Sequence, residues 1–213
     1  MTQKAIFFDL DGTLTDSGEG IINCATLALN HFGLPVPSRQ EMRVFVGPPL
    51  DQTFIRFGVP QDRADEAIAV FRSRYTTVGK FENFPYPGVQ EMLQTLKERG
   101  FRLFVATSKP ENMAVEVLQH FGLAAYFEQI CGATLDGSRS HKADVISYLL
   151  GKTDGVTNTV MVGDTAYDVT GAAAHKIPCV GVAWGYGLVE DMLEAGAVAI
   201  ANNPQELTEI LCR

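Results

Sequence analysis

The stretch "AIFFDLDGTLTDS", residues 5–17, joins a short apolar run to a group of aspartates. Residues 5–8 form a short apolar run that ends at Asp9, and this pattern predicts a buried β-strand. Asp9 and Asp11 then place two carboxylates close together directly after that strand. A buried carboxylate is costly unless it is paired or bound to a metal. The stretch is therefore either a surface turn or the floor of a site that binds a cation.

The composition is that of an ordinary globular protein and favours a small-molecule partner. The chain has 213 residues, 46% of them hydrophobic and 20% charged, with a formal net charge of −8. This length is enough for one large domain or for a core with a small insert. The negative charge argues against a nucleic-acid polymer or an anionic membrane surface as partner, because both require clustered lysine and arginine. A small anion is still acceptable, since a bound cation reverses the field inside one cleft.

The cysteines and the apolar segments indicate a cytoplasmic protein. No Cys-x-x-Cys pair and no histidine pair at zinc spacing occurs in the sequence. The apolar run at the N-terminus is too short for a signal peptide, and no segment approaches the ~20 apolar residues of a membrane span. We therefore expect free thiols in a reducing compartment. The cysteines are Cys24, Cys131, Cys179 and Cys212.

Beyond the linker marked by Pro85 and Pro87, predicted strands and helices alternate along the chain. This alternation predicts an α/β fold, a Rossmann-like doubly wound parallel sheet covered by helices on both faces. The predicted strands are residues 5–8, 101–107, 127–133, 158–164, 177–184 and 197–202. The predicted helices are residues 91–100, 111–122, 142–151, 166–175, 189–196 and 204–212.

An all-helical segment interrupts this pattern after the first strand, and we interpret it as an inserted cap domain. The predicted division is a core of residues 1–15 and 82–213 and a helical cap of residues 16–81. In the cap, a helix is predicted over 20–33, a second ends near Gly58, and a third begins with Asp62 as N-cap.

Polar side chains follow several of the predicted strands at their carboxyl ends, where open parallel sheets bind their ligands. Carboxylates can hold Mg²⁺, attack phosphorus as a nucleophile and transfer protons. A hydroxyl and a lysine can hold phosphate oxygens. Such a set suits phosphoryl transfer. Its members are Asp9 and Asp11, Thr107 and Ser108, Asp164 and Asp168, and Lys142 at the start of a helix.

These residues resemble, in order and spacing, the four motifs of the haloacid dehalogenase superfamily. The motifs are "DLDGT" at residues 9–13, "ATS" at 106–108, Lys142, and "GDTAYD" at 163–168. The resemblance covers essentially the whole chain and is strongest to the phosphoglycolate phosphatase-like branch with a helical cap. Other stretches, including "FVGPPL" and "GVAWGYG", resemble members of that branch described as 5'-nucleotidase-like.

The resemblance implies catalytic and metal-binding roles for four aspartates. Asp9 is expected to be the nucleophile and a metal ligand. Asp11 is expected to be the acid/base and to offer its backbone carbonyl to the metal. Asp164 would complete a Mg²⁺ site, and Asp168 would support that site from behind its ligands or through water.

The resemblance also implies a phosphate-binding set. Thr107 would bind phosphate through its hydroxyl, with the backbone of Ser108 beside it, although both could instead cap the helix that follows Pro110. Lys142 would neutralise the phosphoryl group and Asp9. Lys109 is a rival for that cationic role, because it lies nearer a strand end; the order of the motifs favours Lys142.

The sequence thus predicts a Mg²⁺-dependent phosphatase that acts on a small phosphorylated metabolite, such as phosphoglycolate or a nucleoside 5'-monophosphate, through an aspartyl-phosphate. A phosphomutase uses the same chemistry and stays open as an alternative. A dehalogenase is disfavoured, since it needs neither an acid at Asp11 nor a metal site. A non-catalytic phospho-acceptor module is disfavoured by the cap.

Substrate choice is expected to come from the cap, whose closure also excludes water. An arginine that faces the cleft would favour a carboxylate on the leaving group, whereas aromatic rings there would favour a nucleoside. The sequence leaves the facing of these side chains and the oligomeric state open. The candidates are Arg43, the Gly47-Pro48-Pro49 elbow, Arg56, Phe45, Phe54 and Tyr75.

Overall fold

The computed structural model describes residues 3–213 and divides the chain into two compact units. One unit contains the chain up to Thr15 and again from Pro85 onward, and the other is Asp16–Phe84. Over residues 3–213, no helix combines the length and the apolar character that crossing a membrane requires.

The first unit is built on a six-stranded sheet, formed by β1 (Gln3–Phe8), β4 (Arg102–Pro110), β5 (Gln129–Ala133), β6 (Val156–Gly163), β7 (Cys179–Val182) and β8 (Ala199–Ala201). The two-residue strands β2 (Thr15–Asp16) and β3 (Phe84–Pro85) lie where the chain passes between the units. The strand order is β5-β4-β1-β6-β7-β8, and all these neighbours are parallel. Strand β1 is therefore central, with Phe8 in register with Val105 of β4 and with Val162 of β6.

Helices cover both faces of this sheet because the buried side chains of β1 alternate between the faces. The helices are α4 (Val89–Glu98), α5 (Glu111–His120), α6 (Lys142–Leu150), α7 (Ala166–Ala173), α8 (Val189–Glu194) and α9 (Pro204–Leu211). Ile6 and Phe8 pack into one apolar cluster, together with residues of α4, α5 and α9. Ala5 and Phe7 pack into a second cluster, together with residues of α6, α7 and α8. The predicted doubly wound α/β fold is confirmed.

The second unit is helical, with α1 (Gly18–His31), α2 (Leu50–Arg56) and α3 (Ala64–Tyr75). The prediction that Asp62 caps the third helix is wrong, because a short 3₁₀ turn over Gln61–Arg63 precedes α3 and its N-cap is Arg63. Gly20 of α1 lies against the carbonyl of Gly79, where an added Cβ would be only 1.9 Å from the oxygen. The two backbone segments can pack this closely only with glycine at position 20.

Aromatic side chains form the interior of this helical unit. Phe45 lies with its ring centroid 5.0 Å from that of Phe54, which in turn lies 6.4 Å from Phe71. Phe71 stacks on Tyr75 at 5.1 Å, and all four side chains are buried. Phe45, Phe54 and Tyr75 are thus used to hold the helices of this unit together.

Candidate active site

Three adjacent strands of the sheet carry most of the predicted site residues. Asp9 directly follows β1, Thr107 and Ser108 lie in the second half of β4, and Asp164 directly follows β6. Because β4, β1 and β6 are neighbours and parallel, their carboxyl ends lie along one edge of the sheet. Lys142 is the first residue of α6, which packs against β4.

Lys142 joins two of the predicted aspartates. Its Nζ atom lies 2.8 Å from Oδ1 of Asp9 and 2.8 Å from Oδ1 of Asp168. It also donates to the backbone carbonyl of Ala106 at 3.0 Å. An ammonium group has three N–H donors, so each donor of Lys142 has a protein acceptor. The arrangement fixes one oxygen of Asp9 against a buried positive charge.

Asp168 is held from its other side by the start of its own helix. Its Oδ2 accepts hydrogen bonds from the backbone N–H of Thr165 at 3.0 Å and from the Thr165 hydroxyl at 2.8 Å. This is a capping box, in which the residue at the third helical position satisfies the N-cap backbone. The Asp168 side chain is fully buried, and both of its oxygens have partners. Asp168 therefore orients Lys142.

Asp164 is almost fully buried, and each of its two oxygens accepts one hydrogen bond from a neutral donor. The Thr13 hydroxyl donates to Oδ1 at 3.2 Å, and the backbone N–H of Tyr186 donates to Oδ2 at 2.8 Å. Thr13 lies within the first motif, but no role was predicted for its side chain. The loop that contains Tyr186 was also missed. Its "GYG" sequence gives no signal by itself that it contacts Asp164.

Asp11 is paired with Lys109. The Nζ atom of Lys109 lies 2.9 Å from Oδ1 and 2.7 Å from Oδ2 of Asp11, and both side chains are largely buried. Lys109 and Lys142 thus serve different carboxylates: Lys109 contacts Asp11, whereas Lys142 contacts Asp9. Sequence reasoning considered the two lysines as alternatives for one role and did not predict that each contacts a different aspartate.

Thr107 and Ser108 belong to β4 and do not cap the following helix. Strand β4 continues to Pro110, which is itself the N-cap residue of α5. The Thr107 hydroxyl is buried and accepts a hydrogen bond from the backbone N–H of Lys109 at 3.2 Å. The alternative in which these two residues are helix caps is wrong.

Burial shifts the ionisation of this cluster. Burial raises the pKa of Asp9 to about 6, although the nearby Lys142 ammonium lowers it. Burial, followed by the charges of Asp168 and Asp9, raises the pKa of Asp164 to about 8. For Lys142, burial lowers the pKa, but the Asp168 and Asp9 carboxylates outweigh that effect and raise it above its ordinary value. The aspartates thus resist carrying their full negative charge unless a further cation is present.

The acidic cluster has the chemistry of a divalent cation site. Asp9, Asp164 and Asp168 each offer one carboxylate oxygen, and these oxygens lie within 4.8 Å of one another. All are hard oxygen donors, which suit Mg²⁺ better than a soft metal. The Asp11 carboxylate contacts Lys109 and lies outside this group. The cluster is able to hold a metal ion.

The fold and this cluster define a class of enzyme, and comparison with known proteins gives the same class. The chain belongs to the haloacid dehalogenase-like hydrolase family, whose model matches residues 6–182. It is an enzyme of the phosphatase type within that family, so the resemblance found in the sequence is confirmed.

Individual relatives have different names. The tyrosine-protein kinase PtkA of Mycobacterium tuberculosis is 43% identical over 211 residues, covering 98% of this chain and 72% of PtkA. A 5'-nucleotidase of Pseudomonas aeruginosa is 41% identical over 193 residues, covering 89% of this chain and 86% of the nucleotidase. The crystal structure of a "predicted phosphatase" from Clostridium acetobutylicum is 40% identical and superposes with a TM-score of 0.94, covering 100% of this chain and 99% of that one.

Proposed function

We propose that this protein is a Mg²⁺-dependent phosphatase that hydrolyses a small phosphomonoester through an aspartyl-phosphate on Asp9. The observation that supports this most strongly is the contact between Asp9 and Lys142 at 2.8 Å, within a buried group of carboxylates. The lysine charge keeps Asp9 ionised near neutral pH although burial opposes ionisation. An ionised carboxylate held in one orientation is a competent nucleophile.

In the proposed first step, an oxygen of Asp9 forms a bond to phosphorus and the bond from phosphorus to the leaving oxygen breaks. Asp11 gives a proton to that leaving oxygen. In the second step, a water molecule attacks the phosphorus of the aspartyl-phosphate and passes a proton to Asp11. Inorganic phosphate leaves, and Asp9 is regenerated. Lys109, in contact with both oxygens of Asp11, offsets the charge on Asp11 once the proton has left.

Phosphate recognition is assigned to Thr107, Ser108 and Lys142. The Thr107 hydroxyl and the backbone near Ser108 lie in the second half of β4, beside the end of β1 that carries Asp9. Hydrogen-bond donors that are already in place stabilise charge on phosphoryl oxygens without reorganisation during the reaction. Lys142 is proposed to neutralise both Asp9 and the phosphoryl group.

The metal ligands are assigned to Asp9 and Asp164 through their carboxylates and to Asp11 through its backbone carbonyl. Asp168 is proposed to support this site from beside Lys142, which its oxygen contacts at 2.8 Å. When bound, Mg²⁺ would offset the charge of the nucleophile and of the phosphoryl oxygens, so that an anion can attack an anion.

The substrate is proposed to be phosphoglycolate or a nucleoside 5'-monophosphate. The resemblance to phosphoglycolate phosphatases supports phosphoglycolate, and the 5'-nucleotidase relative supports a nucleoside 5'-monophosphate. Phe45, Phe54 and Tyr75 are buried against other aromatic rings of the helical unit, so stacking of a base on these three is disfavoured.

A panel of phosphomonoesters tests this function. It should contain p-nitrophenyl phosphate, phosphoglycolate, nucleoside 5'-monophosphates and sugar phosphates, each with Mg²⁺ and with EDTA. We expect phosphate release with Mg²⁺ and none with EDTA, with Ca²⁺ as an inhibitor because its looser coordination disturbs in-line geometry. Full activity in EDTA, or no phosphate release from any ester, would contradict the proposal.

Transfer of the phosphoryl group to an acceptor other than water is the second candidate function. A phosphomutase would return the group to its bound product. The 43% identity to a protein named tyrosine-protein kinase favours a tyrosine hydroxyl as acceptor. Adding labelled ATP and a tyrosine-containing polypeptide to the panel tests the tyrosine acceptor, since only a kinase moves the label to the polypeptide.

A further inference from the structure

We propose that the loop over residues 184–187, here called the β7 loop, is a positioning segment that fixes Asp164 for metal binding. The inference rests on the proposed Mg²⁺ site and adds to it residues that hold a ligand without binding the metal. The β7 loop follows strand β7 and carries the sequence Trp-Gly-Tyr-Gly. It contacts both Asp164 and the first motif.

The β7 loop contributes one of the two hydrogen bonds that orient the Asp164 carboxylate. The backbone N–H of Tyr186 donates to Oδ2 at 2.8 Å, while the Thr13 hydroxyl donates to Oδ1 at 3.2 Å. Each carboxylate oxygen has two lone pairs, so one donor on each oxygen sets the plane of the carboxylate and leaves lone pairs for a cation. Because the donor at Oδ2 is a backbone group, its position depends on the conformation of the β7 loop.

The β7 loop also forms a hydrogen bond with the first motif. Together with the two hydrogen bonds to Asp164, this bond closes a ring of contacts around that residue. The indole Nε1 of Trp184 donates to the backbone carbonyl of Thr13 at 3.0 Å. The same residue, Thr13, donates its hydroxyl to Asp164. Trp184, Thr13, Asp164 and Tyr186 are therefore linked in a ring. Movement of the β7 loop would shift both donors of Asp164 together.

Glycine is required at position 185 because of space. A Cβ added at Gly185 would lie 2.3 Å from Cβ and 2.4 Å from Oδ2 of Asp164, and 2.5 Å from the carbonyl oxygen of Gly12. The φ angle of Gly185 is outside the left-handed region, so the close contacts of the added Cβ, and not a left-handed φ, are what oppose alanine here. Replacement by alanine would thus act through displacement of Asp164 or of the first motif.

Gly187 lies equally close to the main chain of Asp164. A Cβ added there would lie 2.1 Å from the Asp164 carbonyl oxygen and 3.0 Å from Cα of Thr165. The two glycines of the β7 loop therefore lie against the side chain and the main chain of one residue. These close approaches account for the two glycines of "WGYG", a sequence that does not match a dinucleotide-binding fingerprint.

The experiment measures Mg²⁺ affinity without substrate, by titration calorimetry of the full chain. The variants are Gly185→Ala and Trp184→Phe, with Gly151→Ala as the matched control. Gly151 is exposed, has no left-handed φ, and an added Cβ there would be 3.5 Å from its nearest contact. Trp184→Phe removes the indole donor and keeps an aromatic ring beside Tyr86, whose ring centroid is 6.4 Å away. The melting temperature of each variant in EDTA is recorded as the measure of folding.

We expect Gly185→Ala to weaken Mg²⁺ binding about 10- to 100-fold, as for other groups that orient metal ligands. Trp184→Phe should weaken it by a smaller factor, and Gly151→Ala should bind like the wild type. If Gly185→Ala does not fold, Trp184→Phe tests the positioning role instead. Its melting temperature in EDTA is expected to equal that of the wild type, so that weaker Mg²⁺ binding reports a displaced Asp164 and not a loss of folding. Wild-type affinity in the folded variants would overturn the positioning role alone. No Mg²⁺ binding by the wild type would overturn the proposed metal site as well.

Discussion

Lys142 contacts Asp9 and Asp168 through one ammonium group, at 2.8 Å from an oxygen of each. Two carboxylates beside one lysine leave the group with net negative charge, and Asp164 lies in the same cluster. The lysine alone therefore cannot neutralise the site. We propose that a divalent cation supplies the missing charge, held by Asp9 and Asp164, while Asp168 orients Lys142.

Asp164 and Asp168 are expected to respond differently to replacement. Asp164→Ala should weaken apparent Mg²⁺ affinity more than Asp168→Ala does, because Asp168 has both oxygens occupied by Lys142 and Thr165. Asp168→Ala should instead lower turnover at saturating Mg²⁺, since Lys142 loses one of its anchors. Magnesium titrations of turnover give both quantities. Equal Mg²⁺ affinities in the two variants would contradict this division.

Lys109 is expected to matter most when the leaving group needs a proton. Lys109→Met removes the charge in contact with Asp11 and should lower kcat/KM for an alkyl phosphate more than for p-nitrophenyl phosphate. Asp11→Asn should show the same selectivity more strongly, since general acid catalysis contributes about 10²- to 10⁴-fold. The comparison uses kcat/KM because it reports the step that breaks the ester bond.

The control for Lys109 is Lys97→Met, which removes an exposed lysine that lies on α4. It should leave both substrates unaffected. The double variant Lys109→Met, Asp11→Asn should be no more selective than Asp11→Asn alone, because the two residues act as one unit. Equal losses for both substrates in the single variants would argue against proton transfer by Asp11.

Much of this site could be predicted from local sequence, because its motifs lie directly after strands. The apolar run before Asp9 and the similar run before Asp164 predict two strand ends, and parallel strands bring such ends together. These two features depend only on neighbouring residues and on the regular alternation of strands and helices. The choice of Lys142 over Lys109 depends instead on the resemblance to the motif order of the haloacid dehalogenase superfamily, because a lysine at the start of a helix is no signal by itself.

The contacts that were missed join residues far apart in sequence. Lys109 is 98 positions from Asp11, and Trp184 is 171 positions from Thr13. The first pair depends on the register of β1 with β4, and the second depends on the path of the β7 loop. Neither can be predicted from a local sequence pattern. The burial of Phe45, Phe54 and Tyr75 could not be predicted either, because helical spacing does not distinguish a ring in the interior of the helical unit from one that faces a substrate.

Mg²⁺ binding is expected to strengthen as the pH rises toward about 8. The pKa of Asp164 is raised by burial from 3.8 to about 8, so below that pH the metal-free protein keeps the proton and Mg²⁺ must displace it. Apparent affinity should therefore increase up to roughly tenfold per pH unit below that pKa, because one proton is released per ion. Calorimetry in buffers of different ionisation enthalpy counts the released proton. An affinity independent of pH would contradict the shift.

The stability of the metal-free protein should fall as the pH rises, whereas its affinity for Mg²⁺ should increase. A carboxyl whose pKa is higher in the folded state than in the unfolded state binds more protons when folded, so it destabilises the fold as the pH rises. For Asp164 this window extends from 3.8 to about 8. The melting temperature in EDTA should fall across it, with a smaller fall in Asp164→Asn, and Mg²⁺ should restore more stability at the upper end. A flat profile in both proteins would be inconsistent with a buried, shifted Asp164.

Asp9 is proposed to carry the phosphoryl group during turnover, and rapid acid quenching of a single turnover detects that intermediate. With a ³²P-labelled phosphomonoester and Mg²⁺, the wild type should hold protein-bound label before phosphate is released. The label should be lost on treatment with hydroxylamine and should map to the peptide that contains Asp9. Asp9→Asn, which keeps the shape of the side chain, should hold no label and release no phosphate. Phosphate release without protein-bound label at any time, or label retained in Asp9→Asn, would contradict the role of Asp9 as the nucleophile.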